Sequence, residues 1–180
     1  MKSCIILFLA CLGIAVVNAE PVSPQAQLNS LLDEDLAAVF RRAPLLATVR
    51  GVPGYDDLLS DLSFATLERE RARERRTLVD LRAIDPKALQ DRDRVSYELL
   101  LDKMESAVEG QRFPNAEGLV LSTLSGVQNT MPRAAQITPF RTSANYRDYI
   151  KRLGATPKLV DETIARLRAV DPLLHAVVCE

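Results

Sequence analysis

The single histidine of this chain, His175, stands four residues before Cys179, a spacing that would put both side chains on one face of a helix. Two ligands do not fill a tetrahedral zinc shell, and no second histidine lies one turn away to complete a His-Glu-x-x-His pair. Nucleophilic chemistry has no better anchor. A Gly-x-Ser-x-Gly elbow is absent, the seven glycines are scattered singly instead of forming a phosphate loop, and any Ser-His-acid triad would have to draw on His175. Carboxylates cluster at Asp33-Glu34-Asp35 and at Asp56-Asp57. The first group surrounds one turn of a helix and the second sits in a turn, so solvated surface is the expectation for both. Neither offers the alternating oxygen ligands, central glycine and closing glutamate of a calcium loop.

Binding is the remaining option, and it points to Gly118–Ile137. This stretch has no sustained period and carries Gly126, Gln128, Asn129, Thr130 and Pro132, so it reads as one long irregular loop with at most a helical turn. Loops of that length inside a compact domain are often functional. The polar groups there and just beyond, Gln128, Asn129, Arg141 and Tyr146, are the candidates for contact with a peptide or other partner. Their structural alternative is capping and loop bracing.

The elements that must position these groups are helices. From Asp91 to Arg112, Tyr97, Leu100, Leu101, Met104 and Val108 form one apolar stripe, with Arg94, Glu98, Asp102, Glu105 and Glu109 on the other side. Ser23 with Pro24 starts an earlier helix carrying Leu28, Leu31, Leu32, Leu36, Val39 and Phe40; Pro44 interrupts it, and Gly51 with Pro53 stops the turns that follow. Ser63 caps a third helix, with Phe64, Leu67, Leu78, Leu81 and Ile84 and a charged middle from Glu68 to Arg76 whose interleaved signs suggest a solvated face. Asp85-Pro86 ends it and caps a short turn. Thr142 or Ser143 opens a helix with Tyr146, Tyr149, Ile150 and Leu153, closed by Gly154. Thr156-Pro157 opens the last, with Val160, Ile164, Leu167 and Val170 expected inward. The fold class is therefore all-α: five to six helices in a bundle-like array with one long irregular loop.

The first residues are not part of that array. Lys2, an apolar run from Cys4 to Val17 and the small residue Ala19 have the layout of a secretory signal cleaved after Ala19. A lipid-anchored form cleaved before Cys11 is less favoured, because bulky Phe8 and Leu9 precede that cysteine. The expected division is residues 1–19 signal, 20–27 leader, 28–170 helical domain and 171–180 tail. The product is expected to be periplasmic or extracellular, with no stable membrane span after cleavage. Only Cys179 survives the cut, so no internal disulfide can form and stability must come from packing. Loss of Lys2 leaves 22 of the 23 basic residues against 24 acids, a formal charge of −2, which argues against nucleic acid as a partner.

One set of motifs follows in a recognisable order: Tyr55-Asp56-Asp57, Ser60-Asp61-Leu62-Ser63, Asp93-Arg94 with Ser96-Tyr97 and Leu99-Leu100, Arg112-Phe113, then Pro139-Phe140-Arg141-Thr142 with Tyr146, Tyr149 and Arg152-Leu153. Together they resemble the N-terminal part of the bacterial family catalogued as domain of unknown function 885, over about Leu32 to Leu167. The resemblance implies large exported helical proteins similar to zinc-dependent peptidases, with a His-Glu-x-x-x-Gly-His-His-like segment in their C-terminal half. None of those residues occurs here, so no catalytic or metal-binding position carries over, and zinc is implied only for full-length relatives. Ala169–Glu180 also departs from the family's continuation. The expectation is a truncated N-terminal portion of a larger helical fold, inactive alone, whose partner is the missing C-terminal half, or peptide in full-length relatives. The alternative is a self-sufficient secreted helical module that binds through the Gly118–Ile137 loop.

Overall fold

A computed structural model describes residues 22–113, 120–123 and 126–170. The predicted signal and its cleavage point at Ala19, His175, Cys179 and the 171–180 tail lie outside them, as does part of the predicted loop.

Among the described residues, seven α-helices and one 3-10 turn follow in order: α1 (Pro24–Arg42), α2 (Pro44–Arg50), α3 (Phe64–Arg82), the turn Pro86–Ala88, α4 (Asp91–Gly110), α5 (Val127–Ile137), α6 (Ser143–Gly154) and α7 (Thr156–Ala169). The fold is all-α and bundle-like, and no strand occurs among the described residues. Local chemistry sets most of the ends. Ser23 Oγ accepts the Ala26 amide hydrogen at the start of α1, and Pro24 occupies a first-turn position where its missing N–H costs nothing. Ser63 caps α3 in the same way. Pro44 separates α1 from α2, and Gly51 closes α2 at φ 70°, a left-handed conformation that glycine adopts without a Cβ penalty. Thr142 and Asn145 exchange side-chain and backbone hydrogen bonds in a full capping box at α6.

The main core lies where α3 and α4 pack as an antiparallel pair with α1 packed against both. Leu28 and Leu31 of α1 meet Leu78, Leu81 and Ile84 on the α3 side and Tyr97, Leu100 and Met104 on α4, with Leu89 of the connection sealing one end. Each of these leucines stabilises the fold by about 2 kcal/mol through removal from water. A second packing unit joins α5, α6 and α7, and α2 ties it to α1. Ala47 of α2 and Ala134 of α5 are both fully buried where small side chains let helices approach.

Several expectations are corrected. Residues 127–137 form a helix, not an irregular loop: Val127, Met131 and Ala134 share a face that packs toward α2 and α7, and this tertiary burial outweighs the interior Pro132. Asp35 is buried instead of solvated, because α3 and α4 deliver cations to it. Lys103 Nζ donates to its Oδ2, and Arg73 Nη1 stands 3.5 Å from its Oδ1. The charged middle of α3 is likewise not a simple solvated face. The side chains of Glu70, Arg73 and Glu74 are only 18, 14 and 12 % exposed, and Glu74 reaches Arg42 of α1 at 3.6 Å and Gln111 at 3.0 Å. Leu36 and Ile164, expected inward, are exposed at 52 and 39 %, because the buried faces are set by Leu28, Leu31, Asp35 and Ala38 on α1 and by Leu159, Thr163 and Val170 at α7.

Candidate functional site

A dense polar construction joins α6 to the 51–63 segment, and Arg152 is its centre. This arginine is fully buried. Its Nε donates to the Leu58 carbonyl (3.0 Å), while one Nη2 serves both the Tyr55 carbonyl (2.7 Å) and Thr48 Oγ1 (2.9 Å). Thr48 in turn donates to Asp56 Oδ1 at 2.7 Å. Burial pushes the Arg152 guanidinium below its ordinary pKa, and Asp56, Asp57 and Asp148 oppose that shift. Arg152 Nη1 has no hydrogen-bond partner among the described residues. A planar fork that can donate in two directions at once is what lets one side chain hold two backbone carbonyls and a helix hydroxyl.

α7 continues the clasp. Lys158, Glu162 and Arg166 repeat every four residues along one side of the helix and all address the Asp61-Leu62 dipeptide. Lys158 Nζ lies 3.2 Å from Asp61 Oδ2, Glu162 Oε2 accepts the Leu62 amide hydrogen at 2.8 Å, and Arg166 Nε donates to the Leu62 carbonyl at 2.6 Å. Partial burial works against the Asp61 carboxylate, but hydrogen bonds from the Ser63 side chain and backbone, Lys158 and Thr66 outweigh it and hold its pKa well below the usual range. Behind this dipeptide a cavity of about 440 Å³ opens between α3, α4 and α7, with guanidinium groups from Arg42, Arg71 and Arg166 interleaved with Glu70 and Glu74. Its charges are balanced in sign and engaged, Arg42 with Glu74, Arg71 with Glu68, Glu70 with Arg73 and Asp61 with Lys158, which suits internal bracing better than capture of a charged ligand.

The sequence-derived candidates fall into two pairs. Gln128 and Asn129 occupy the first turn of α5 and donate to the Ser122 and Thr123 carbonyls at 2.6 and 3.2 Å. That is loop bracing. Gly126, just before them, has φ 128°, and a Cβ there would stand 2.4 Å from Gln128 Oε1. Arg141 and Tyr146 belong to the start of α6: the Arg141 amide donates to Asn145 Oδ1 at 3.2 Å, and Tyr146 packs on Phe140 with ring centroids 4.9 Å apart. Both side chains face solvent. Arg152 is the residue that composition and spacing failed to single out. Its signal was present: it follows Asp148 by four and Asn145 by seven, marking a polar face, yet a polar helix face reads by default as solvated.

No group of three or more His, Cys, Asp or Glu side chains among the described residues is placed to hold a metal ion. No described helix is long and apolar enough to cross a membrane. The clasp draws together segments that are far apart in sequence, Tyr55-Asp56-Asp57 with Arg152 and Asp61-Leu62-Ser63 with α7, and these are motifs of the resemblance set out above. No curated protein and no solved structure matches the chain. One family model does, across residues 44–177, and it spans both sides of the clasp. The chain therefore belongs to the family described as bacterial protein of unknown function, DUF885.

Proposed function

We propose that this chain is an exported, non-catalytic helical scaffold, the N-terminal segment of a zinc-peptidase-like protein whose reacting groups lie on further helices. The observation that supports this reading is the use made of the motif residues. Arg152, Asp61 and their partners hold the 51–63 segment against α6 and α7, and they present no convergent acid, base or nucleophile to a substrate. The zinc implied by the resemblance has no ligand set among the described residues. In this reading the scaffold stiffens one wall of a cleft and offers apolar surface to the helices that complete it.

The test is peptide hydrolysis by the purified chain supplied with zinc, together with binding of a hydrophobic dye. Dye binding without turnover supports the reading. Turnover that survives purification and disappears with a chelator overturns it, and a cooperatively unfolding monomer that binds no dye favours the self-contained module instead. Export is checked separately by N-terminal sequencing of the product from the cell envelope or medium, where the first residue should be Glu20.

A further inference from the structure

Three of the four large apolar side chains of α6, all but half-buried Tyr149, do not face the protein. Asn145, Asp148 and Arg152, three and four residues apart, turn toward the fold, and Arg152 is wholly buried. Tyr146, Ile150 and Leu153, also four and three apart, are left 53, 64 and 42 % exposed. The cause is the clasp: the three hydrogen bonds of Arg152 fix the rotation of the helix about its axis and thereby leave the apolar stripe in solvent. A stripe of this spacing is the feature one helix offers another.

Its border has one sign. None of the exposed positions of α6 is acidic, and two, Arg147 and Lys151, are basic. Arg147 donates to Ser143 Oγ at 3.4 Å and is in no ion pair among the described residues. Lys151 stays 65 % exposed despite Asp57 at 3.5 Å and Asp148 at 4.0 Å. Phe140, packed on Tyr146 and edge-on to Tyr149, stiffens the N-terminal end of the stripe.

We propose that the Tyr146–Ile150–Leu153 stripe of α6 is the docking surface for a partner helix whose own apolar stripe is bordered by Asp or Glu. This inference rests on the reading of the chain as a scaffold for further helices, and it names the face and the chemistry of what sits there. Charge selects this occupant over a second copy of the chain. A second copy docked through the same stripe would bring two basic borders together.

The experiment uses the full chain and two short synthetic amphipathic helices with the same leucine stripe, one bordered by glutamates and one by lysines, followed by fluorescence anisotropy. The glutamate helix should bind at least about tenfold more tightly than the lysine helix, and rising salt should narrow the gap. Ile150→Gln should weaken binding of the glutamate helix about tenfold with an unchanged circular dichroism spectrum, because the residue is mostly in solvent. Arg147→Glu should reverse the preference between the helices. Equal binding of both helices, binding unaffected by Ile150→Gln, capture by phosphatidylglycerol vesicles through Ile150, or a dimer that Ile150→Gln dissolves would each overturn the proposal. If the chain binds dye and lacks turnover while neither helix binds, the scaffold reading stands and this inference alone falls.

Discussion

Arg152→Ala is the sharpest perturbation available in this fold. The side chain makes hydrogen bonds of 3.0, 2.9 and 2.7 Å from a charged donor, two of them to the backbone carbonyls of Leu58 and Tyr55. Hydrogen bonds to a charged group contribute about 1.5–3 kcal/mol each, and stranded buried acceptors carry their own desolvation cost. The arginine also carries a burden, since its charge is buried and Nη1 is without a partner among the described residues. Removing it relieves that part. The net loss should be about 3–5 kcal/mol, the range for breaking a buried charged pair from one side. Against a total stability of about 5–15 kcal/mol this is a large fraction. With a urea slope of about 2 kcal/mol per molar, the unfolding midpoint should fall by roughly 2 M. Lys151→Ala, the next residue along, is the control: its side chain is 65 % exposed and its ion pairs are long, so the midpoint should hardly move. Arg152→Lys should fall between the two, because an ammonium keeps the charge but cannot fork between two carbonyls. Hydrogen exchange should report the same event locally, with faster exchange across residues 55–62. A loss below about 1 kcal/mol for Arg152→Ala, or unchanged exchange in that segment, would refute the clasp as the device that orients α6.

Other expectations follow from the same packing. Asp35→Ala should cost about 2–3 kcal/mol by urea unfolding, because it leaves Arg73 and Lys103 without their shared carboxylate, whereas exposed Asp33→Ala should stay within about 0.5 kcal/mol. Asp61 has a folded pKa below its unfolded value, so its contribution is fully present above about pH 4 and is lost as pH falls through and below that value. Asp61→Asn should remove this acid-side dependence from the stability profile, and an unchanged profile would count against the Ser63 and Lys158 contacts. Gly126→Ala should destabilise by about 1–3 kcal/mol, since it places a Cβ 2.4 Å from Gln128 Oε1 and 2.6 Å from Leu121 Cδ2 at a positive φ; calorimetry that shows no change would contradict the tight start of α5.

Most of the helix ends were legible because they depend on atoms a few residues apart. Ser23 with Pro24, Pro44, Gly51, Ser63, Asp85-Pro86 and the Thr142 cap each settle a boundary through local hydrogen bonding or a fixed φ, and the apolar stripe of α4 settles its buried side. Helix α5 was not legible. Pro132 removes a donor from its middle and Gln, Asn and Thr fill its first turn, so only burial against α2 and α7 makes it a helix.

The roles of the charged residues were decided outside their own segments. Asp35 and Asp33 are alike in sequence terms, and what separates them is that Lys103 and Arg73 arrive beside only one, from helices far along the chain. The same holds for α6. Its apolar stripe was plain in the sequence, and a stripe ordinarily marks the buried side of a helix. Tertiary structure turned it outward, because burying the guanidinium of Arg152 against two loop carbonyls fixes the helix's rotation more firmly than three apolar side chains could. Outside α5, periodicity and capping determined that the helices exist and where most of them end. Contacts across about a hundred residues, which no local pattern encodes, determined which way they face.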